Sequence, residues 1–251
     1  MLAEERRQEI LRVLNNKGSV HVTEISKLLE VTEETIRRDL DILDEKKLLK
    51  RTHGGAITIE DNKSELSFNV RKEKNIEEKD IIAEKAVELI NNGDTIFLDA
   101  STTSMYLASQ LKDFTDLTIV TNSVRIILEL AENTNINIIA TGGILRPNSL
   151  SYVGPLTNAA IKKYYADKFF TSCKGISAMH GATDSNEMEI EIKKLMSNQA
   201  QRLIVLADYS KFNQVGLAQF ATFEDIDTII TDDNIDESIK KEFESKGKKI
   251  I

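Results

Sequence analysis

Residues 31–43 read VTEETIRRDLDIL, and the order of polar and apolar positions in that stretch decides how the N-terminal part of the chain folds. Ile36, Leu40 and Leu43 recur at spacings of four and three, the period of a helix with one buried face. Thr32 stands before them, a residue whose hydroxyl caps the first free amides of a helix. On a wheel of about 100° per residue, Glu34 and Arg38 fall opposite the apolar stripe, with Thr35 and Arg37 on its flanks. A helix that presents these four from its first turns has the chemistry of major-groove recognition. Arg pairs with guanine through two hydrogen bonds, Glu accepts from cytosine, and Thr touches a thymine methyl. The alternative is a solvated face whose arginines pair with Asp39, Asp41 or Asp44.

The flanking sequence favours recognition. Upstream, Ile10, Leu11 and Leu14 space a first helix that Lys17-Gly18 ends. Val20 and Val22 alternate with polar residues as a short extended piece, and Thr23 caps a second helix with Ile25, Leu28 and Leu29 facing inward. Glu30-Val31 then turns the chain. Downstream, two strand-like runs flank Gly54-Gly55, a tight-turn signal, and carry Lys50, Arg51 and His53 where they can touch phosphates. Helix, turn, helix and hairpin make a winged helix-turn-helix over residues 1–58. Its candidate DNA contacts are Thr23, Thr32, Glu34, Thr35, Arg37, Arg38, Lys50, Arg51 and His53.

Taken as one figure, the net charge of −8 over 251 residues argues against nucleic acid. Residues 1–58, however, hold eleven bases and eleven acids, so the whole acidic excess lies beyond them. Residues 59–75 lie in a run rich in charge and free of Gly and Pro; they read as a charged linker of partly helical character. No apolar run reaches the length of a membrane span, and the opening MLAEERRQEI has acids where a leader needs an apolar core. The expectation is a cytoplasmic protein with no membrane partner. One Cys and three scattered His supply neither a disulfide framework nor a metal site, so no metal and no cofactor are expected.

From residue 76 to 251 helical and apolar strand patterns alternate, with strands expected at 95–99, 117–121, 136–140, 168–172, 203–207 and 228–231. Such alternation makes an α/β fold whose mostly parallel sheet is covered on both faces. Ligands of such sheets bind outside the carboxyl ends of the strands. The residues placed there are Asp99 with Ser101, Thr102 and Thr103; Thr121 and Asn122; Gly142 and Gly143 with Arg146; Lys174 and Gly175; and Asp208 with Lys211. Hydroxyls and amides at helix starts suit a phosphate, Lys and Arg its countercharge, and Asp and Asn sugar hydroxyls. The set points to a phosphorylated sugar or polyol.

Residues 6–57 closely resemble the N-terminal domain of the DeoR family of bacterial transcriptional regulators. The stretches that carry this are Arg6-Arg7 with Ile10, Val31-Thr32 with Thr35 through Leu40, and Leu49, Arg51 and His53-Gly54-Gly55-Ala56. The match continues through Asp99 and Ser101-Thr102-Thr103, Thr121-Asn122, Gly142-Gly143, Gly175-Ile176-Ser177 and Asp208 with Ser210-Lys211. The resemblance implies a C-terminal sensor and oligomerisation domain similar in fold to ribose-5-phosphate isomerase. It also implies a repressor of a carbohydrate operon that binds double-stranded operator DNA as a homo-oligomer. Position 101 is Ser where the family shows Gly, which implies a tighter loop and altered ligand fit.

No catalytic residues are expected. Cys173 and His180 lack a third orienting group, and the single cysteine beside a buried strand reads as packing. Of the acidic run Asp184, Glu187, Glu189 and Glu191, the last three cannot share one helical face and read as mostly solvated. Tyr164, Tyr165, Phe169 and Phe170 read as core. The alternative function is a sugar-phosphate isomerase with a regulatory DNA-binding appendage, for which Asp99, Asp184 and Glu187 are the available acid–base carboxylates.

Overall fold

A computed structural model describes residues 3–46, 48–57 and 65–251, which divide into two compact units, Met1–Glu73 and Lys74–Ile251. The first contains α1 (Ala3–Lys17), β1 (Ser19–His21), α2 (Val22–Leu28), α3 (Glu33–Glu45), β2 (Lys50–Thr52), β3 (Gly55–Ile57) and α4 (Phe68–Lys72). Its strands form an antiparallel sheet in the order β1-β3-β2. Ile10 and Leu14 of α1, Val22 and Ile25 of α2, and Ile36, Leu40 and Leu43 of α3 close one core with Leu49 and Ala56. The helix-turn-helix and wing are therefore present, with α3 in the expected register.

Three local expectations need correction. The buried face of α2 is Val22, Ile25 and Ser26, with Leu29 half-buried, whereas Leu28 is exposed. Val22 is the first residue of the helix rather than part of an extended piece, and its amide, which has no partner within the helix, bonds to the Gly54 carbonyl at 2.9 Å. His21 therefore occupies the cap position of α2, without a side-chain bond, and Thr23 sits exposed in its first turn. In the wing, His53 and Gly54 make the turn. Gly55 already lies in β3, where a Cβ would stand 1.8 Å from the Val20 carbonyl oxygen, so its glycine serves the close approach of β1.

The expected linker also divides differently. Residues 58–64 lie outside the described residues, but α4 belongs to the first unit, with Phe68 and Val70 buried. Gly18, in the left-handed conformation that ends α1, leaves room for the Val70 side chain; a Cβ there would come within 3.1 Å of it.

The second unit runs α5 (Ile76–Val87), β4 (Thr95–Leu98), α6 (Thr102–Ser109), β5 (Leu117–Thr121), α7 (Val124–Leu130) and β6 (Ile136–Ala140). Next come β7 (Ile144–Arg146), β8 (Ser151–Val153), α8 (Pro155–Ile161), β9 (Ala166–Ser172), β10 (Gly175–Ser177), β11 (Gly181–Asp184) and α9 (Glu187–Asn198). It ends with β12 (Ala200–Leu206), a 3-10 turn (Tyr209–Lys211), β13 (Ala218–Ala221), β14 (Thr228–Ile230), α10 (Glu237–Ser245) and β15 (Lys249–Ile250).

Seven strands form one sheet in the order β15-β14-β12-β9-β4-β5-β6, every neighbouring pair parallel. Alternate residues feed two cores: Phe97, Phe169, Val205 and Ile229 on one face, Ile96, Phe170, Ile204 and Ile230 on the other. The chain steps outward from β4 to β6, returns to lay β9 on the opposite side of β4, and then steps outward the other way. The crevice between the carboxyl ends of β4 and β9 is thus a topological switch point, the usual ligand position of such sheets.

The sequence reading did not foresee the β7–β8 hairpin, α8, or the antiparallel sheet of β10, β11 and β13. Of the four aromatics expected in the core, Phe169 and Phe170 are fully buried and Tyr164 packs at the edge, but Tyr165 is exposed. No helix of the described residues is long and apolar enough to cross a membrane.

Candidate functional site

The N-terminal turns of α3 are built from a cap outward. Thr32 Oγ1 accepts from the Thr35 amide at 3.3 Å and lies 2.8 Å from the Thr35 hydroxyl, so both hydroxyls are engaged in starting the helix. Glu34, Arg37 and Arg38 project into solvent. Arg37 pairs with Glu33 at 2.7 Å and Arg38 with Glu34 at 3.6 Å, and every partner is at least 43% exposed. Pairs this exposed contribute about 0–1 kcal/mol and exchange readily for another partner.

The buried acid on this helix is Asp39, which takes Arg6 at 2.5 Å and Arg7 at 3.5 Å from α1 and leaves Arg37 and Arg38 to the surface. On the wing, Lys50 and His53 are exposed. Arg51 is not placed as expected. Its Nε donates to Asp41 at 2.9 Å, its Nη1 to the Gly55 carbonyl at 2.9 Å, and its amide to Asp44 at 3.2 Å, so it ties the wing to α3.

At the switch point of the second unit, Asp99 follows β4 and is buried. Its Oδ1 accepts from the Ser104 hydroxyl at 2.5 Å and the Ser101 amide at 3.2 Å. Its Oδ2 accepts from the Thr171 hydroxyl at 2.7 Å and the Ser172 amide at 3.3 Å, and lies 3.0 Å from Lys193 Nζ. Lys193 enters from α9, is itself buried, and also donates to Asp184 and, at 2.6 Å, to the Ser172 carbonyl.

Burial pushes the Asp99 carboxyl up, yet Lys193 and the hydrogen bonds from Ser104, Ser101 and Thr171 outweigh it and hold Asp99 below the ordinary carboxylate range. Burial likewise lowers Lys193, and Asp184 and Asp99 more than reverse that, so its ammonium is held charged. Ser101 caps α6, accepting the Ser104 amide at 3.1 Å, and Thr102 and Thr103 are buried in its first turn.

The other candidates lie at the same edge in separate groups. Thr121 Oγ1 donates to the Leu98 carbonyl at 2.7 Å, which binds β5 to β4. Asn122 donates to the Tyr152 carbonyl at 3.1 Å, while its buried Oδ1 has no hydrogen-bond partner among the described residues. Gly142 takes φ 62° with open space where a Cβ would stand, and its carbonyl accepts from Thr157 at 2.6 Å. Gly143 is required sterically, since a Cβ would lie 2.1 Å from Thr157 Oγ1.

Arg146 turns to Ser149 at 2.8 Å and to Glu189 at 3.5 Å. Glu189 is therefore buried, whereas Glu187 and Glu191 are exposed; the expectation of a mostly solvated run holds for those two and fails for Glu189. The Lys174 amide bonds to the Thr183 carbonyl at 2.9 Å, and Gly175 leaves room for the Gln214 backbone. Asp208 is buried and caps the 3-10 turn through the Ser210 amide at 3.0 Å, with Lys211 Nζ 3.9 Å away.

Cys173 joins two of these groups, because the charges acting on its thiol are Lys193, Lys211, Asp184 and Asp208. Burial pushes that thiol up to about 12, an inert state at neutral pH. Lys193 is the residue the sequence did not disclose. Among the described residues no group of three or more His, Cys, Asp or Glu side chains is placed to hold a metal.

Two family models match the chain: a DeoR-like helix-turn-helix domain over residues 6–62 and a DeoR C terminal sensor domain over residues 74–233. An uncharacterized HTH-type transcriptional regulator of Bacillus subtilis (strain 168), YulB, is 41% identical over 250 residues, covering 100% of this chain and 96% of that protein. A putative aga operon transcriptional repressor of Escherichia coli O157:H7 is 33% identical over 233 residues, covering 92% and 87%. A solved D-ribose-5-phosphate isomerase in complex with phospho-erythronic acid is 17% identical with a TM-score of 0.41, covering 54% of this chain and 53% of that one.

Proposed function

The chain belongs to the DeoR family of transcriptional regulators, and from that premise we propose that it represses a carbohydrate-utilisation operon until a phosphorylated sugar or polyol occupies the carboxyl edge of its parallel sheet. The observation that carries this reading is that Asp99, paired with Lys193, and the Ser101–Ser104 helix start follow β4 while the Asp208–Lys211 turn follows β12, two parallel strands that flank β9, at that same edge. Carboxylates and an amide suit sugar hydroxyls, and Lys211 suits a phosphate. The protein acts in the cytoplasm on double-stranded operator DNA, and its second unit assembles copies so that paired α3 helices meet repeated half-sites. Effector binding favours one arrangement of that assembly; a tenfold relief of operator binding needs a coupling of only about 1.4 kcal/mol.

The isomerase alternative is less well supported. A general base works best with a value near the operating pH, and Asp99 is held below the ordinary carboxylate range, the direction away from it, by Lys193 and its hydrogen bonds. The relatives, moreover, are named as regulators. The reading is a regulator without turnover.

Two substitutions test the two halves of the proposal. Arg38 is 77% exposed and only loosely paired. Arg38→Ala lowers affinity for an operator selected from random duplexes by about 1–3 kcal/mol and relaxes preference at one base position. Fluorescence anisotropy against base-substituted operators measures this; an equal loss on operator and random DNA reassigns Arg38 to a phosphate. Lys211→Ala abolishes operator release by D-fructose 1-phosphate, D-fructose 6-phosphate, D-glucose 6-phosphate or glycerol 3-phosphate, whichever releases the wild type, and leaves operator binding intact. Full release from the Lys211→Ala protein refutes the effector assignment.

A further inference from the structure

Asn75 stands two residues past the boundary between the units, at the cap position of α5, with φ 48° and ψ 51°. That left-handed conformation is uncommon for residues with side chains, and Asn is among the few that adopt it more readily. A cap residue ordinarily turns its side chain onto the first amides of its helix; the Asn75 side chain makes no such bond. Its Nδ2 donates instead to Asp208 Oδ1 at 3.0 Å and to Ser210 Oγ at 3.4 Å, partners 133 and 135 residues further on. The same Asp208 oxygen also accepts the Ser210 amide and hydroxyl. Lys79, one turn into α5, donates to the Lys74 carbonyl, so the chain is held on the other side of Asn75 as well.

We propose that Asn75 is a positioning residue that couples occupancy of the Asp208–Lys211 turn to the conformation of the chain where it enters the second unit. The proposal rests on the reading of that turn as part of the effector site. Asp208 has two oxygens, and one of them serves three protein donors. A sugar hydroxyl that donates to Asp208, or a phosphate that draws Lys211 away from it, changes what Asn75 is bonded to. Without that bond the left-handed backbone at Asn75 loses the side-chain contact that favours it, while the Lys79 amide still holds the Asn75 carbonyl at 3.1 Å, and the residue is freer to pass to the ordinary region of negative φ. A change in the sign of φ at one residue redirects the chain locally, at the start of the second unit. Asn75 is thus an element with two discrete states, one of which the ligand favours, as linkage requires.

The full-length Asn75→Gly protein tests this, because glycine takes a left-handed φ without strain and removes only the side chain. Its affinity for operator without ligand stays within about twofold of wild type, and its affinity for the releasing sugar phosphate, by isothermal titration, within about threefold. The ratio of operator affinities without and with that sugar phosphate falls from about tenfold or more to under about twofold. A wild-type ratio in Asn75→Gly overturns the proposal.

If none of D-fructose 1-phosphate, D-fructose 6-phosphate, D-glucose 6-phosphate and glycerol 3-phosphate releases the wild type, the sugar-phosphate reading fails. Amide hydrogen exchange without ligand then decides the coupling by itself. Asp208→Ala, which removes the acceptor, raises exchange over residues 74–79 by about tenfold if the turn holds the junction, and unchanged exchange there overturns the proposal.

Discussion

Lys193→Met lowers the stability of the second unit by about 3–5 kcal/mol at neutral pH, the scale on which removing one partner of a buried ion pair destabilises a protein. The ammonium is 7% exposed and lies 3.0 Å from Asp99 Oδ2, and its bond to Asp184 shares the remaining charge. Methionine fills a similar volume against Phe220 but leaves two carboxylates, one fully buried, without a cation. The second unit can be followed alone, because all five tyrosines (Tyr106, Tyr152, Tyr164, Tyr165 and Tyr209) lie beyond Glu73 and the chain has no tryptophan. Urea unfolding read by tyrosine fluorescence gives the number. A loss under about 1 kcal/mol would mean that the trio behaves as a surface pair.

The dependence of that loss on pH has a definite sign. Asp99 is held below its ordinary value, so its contribution to stability is complete above the unfolded value and disappears as pH falls through the folded one. In Lys193→Met, burial acts on Asp99 without the ammonium that opposed it, and the carboxyl moves up. Its acid dependence then weakens or reverses. The gap between wild type and variant is therefore widest near pH 7 and narrows as the medium approaches about pH 4. Lys193 is shifted upward, so it stays charged through the neutral range and adds no alkaline limb there. A gap that widened in acid would place the lost stability in packing instead.

How much of this could be read beforehand depended on whether the signal was local. Helix α3 was legible because its cap, stripe and outward face lie within one run of residues from Thr32 to Leu43. Strands β4, β5, β9, β12 and β14 were legible because each carries a short, largely apolar run of buried residues, whereas the two-residue β15 was not foreseen. Helix α2 slipped by one turn position, since Val20 and Val22 satisfy a strand period and Val22 also starts a helical stripe with Ile25. Strands of three residues, such as β7, β8 and β10, are too short to show any period. The Gly154-Pro155 start of α8 did carry a signal, a left-handed glycine followed by proline at the first helical position. Lys193 carried none, for its meaning comes from Asp99, 94 positions away in sequence and adjacent only because β9 returns beside β4. Glu189 was misread for the same reason: its partners Arg146, Ser149 and Ser151 come from the hairpin that went unseen.

Asp39→Asn is the corresponding change in the DNA-reading unit, and it lowers the opening free energy of α1 and α3 by about 3 kcal/mol. Asp39 is 3% exposed, with Arg6 and Arg7 at 13% and 17%, so this is a largely desolvated clamp between two helices. An amide of the same shape can accept from one arginine through one oxygen and leaves both cations with less than they lost on burial. The contrast lies nearly two turns away on the same helix. Glu33→Gln breaks the pair with Arg37, in which both partners are over 40% exposed, and costs no more than about 0.5 kcal/mol. Amide exchange of the full-length protein, followed by mass spectrometry, measures both variants on the same helices. If Glu34, Thr35, Arg37 and Arg38 read the groove as proposed, operator affinity follows the clamp, because they can do so only while α3 keeps its place against α1. If α3 exchanged at the wild-type rate in Asp39→Asn, the apolar contacts of Ile10, Leu14, Ile36 and Leu40 alone would be holding the two helices together.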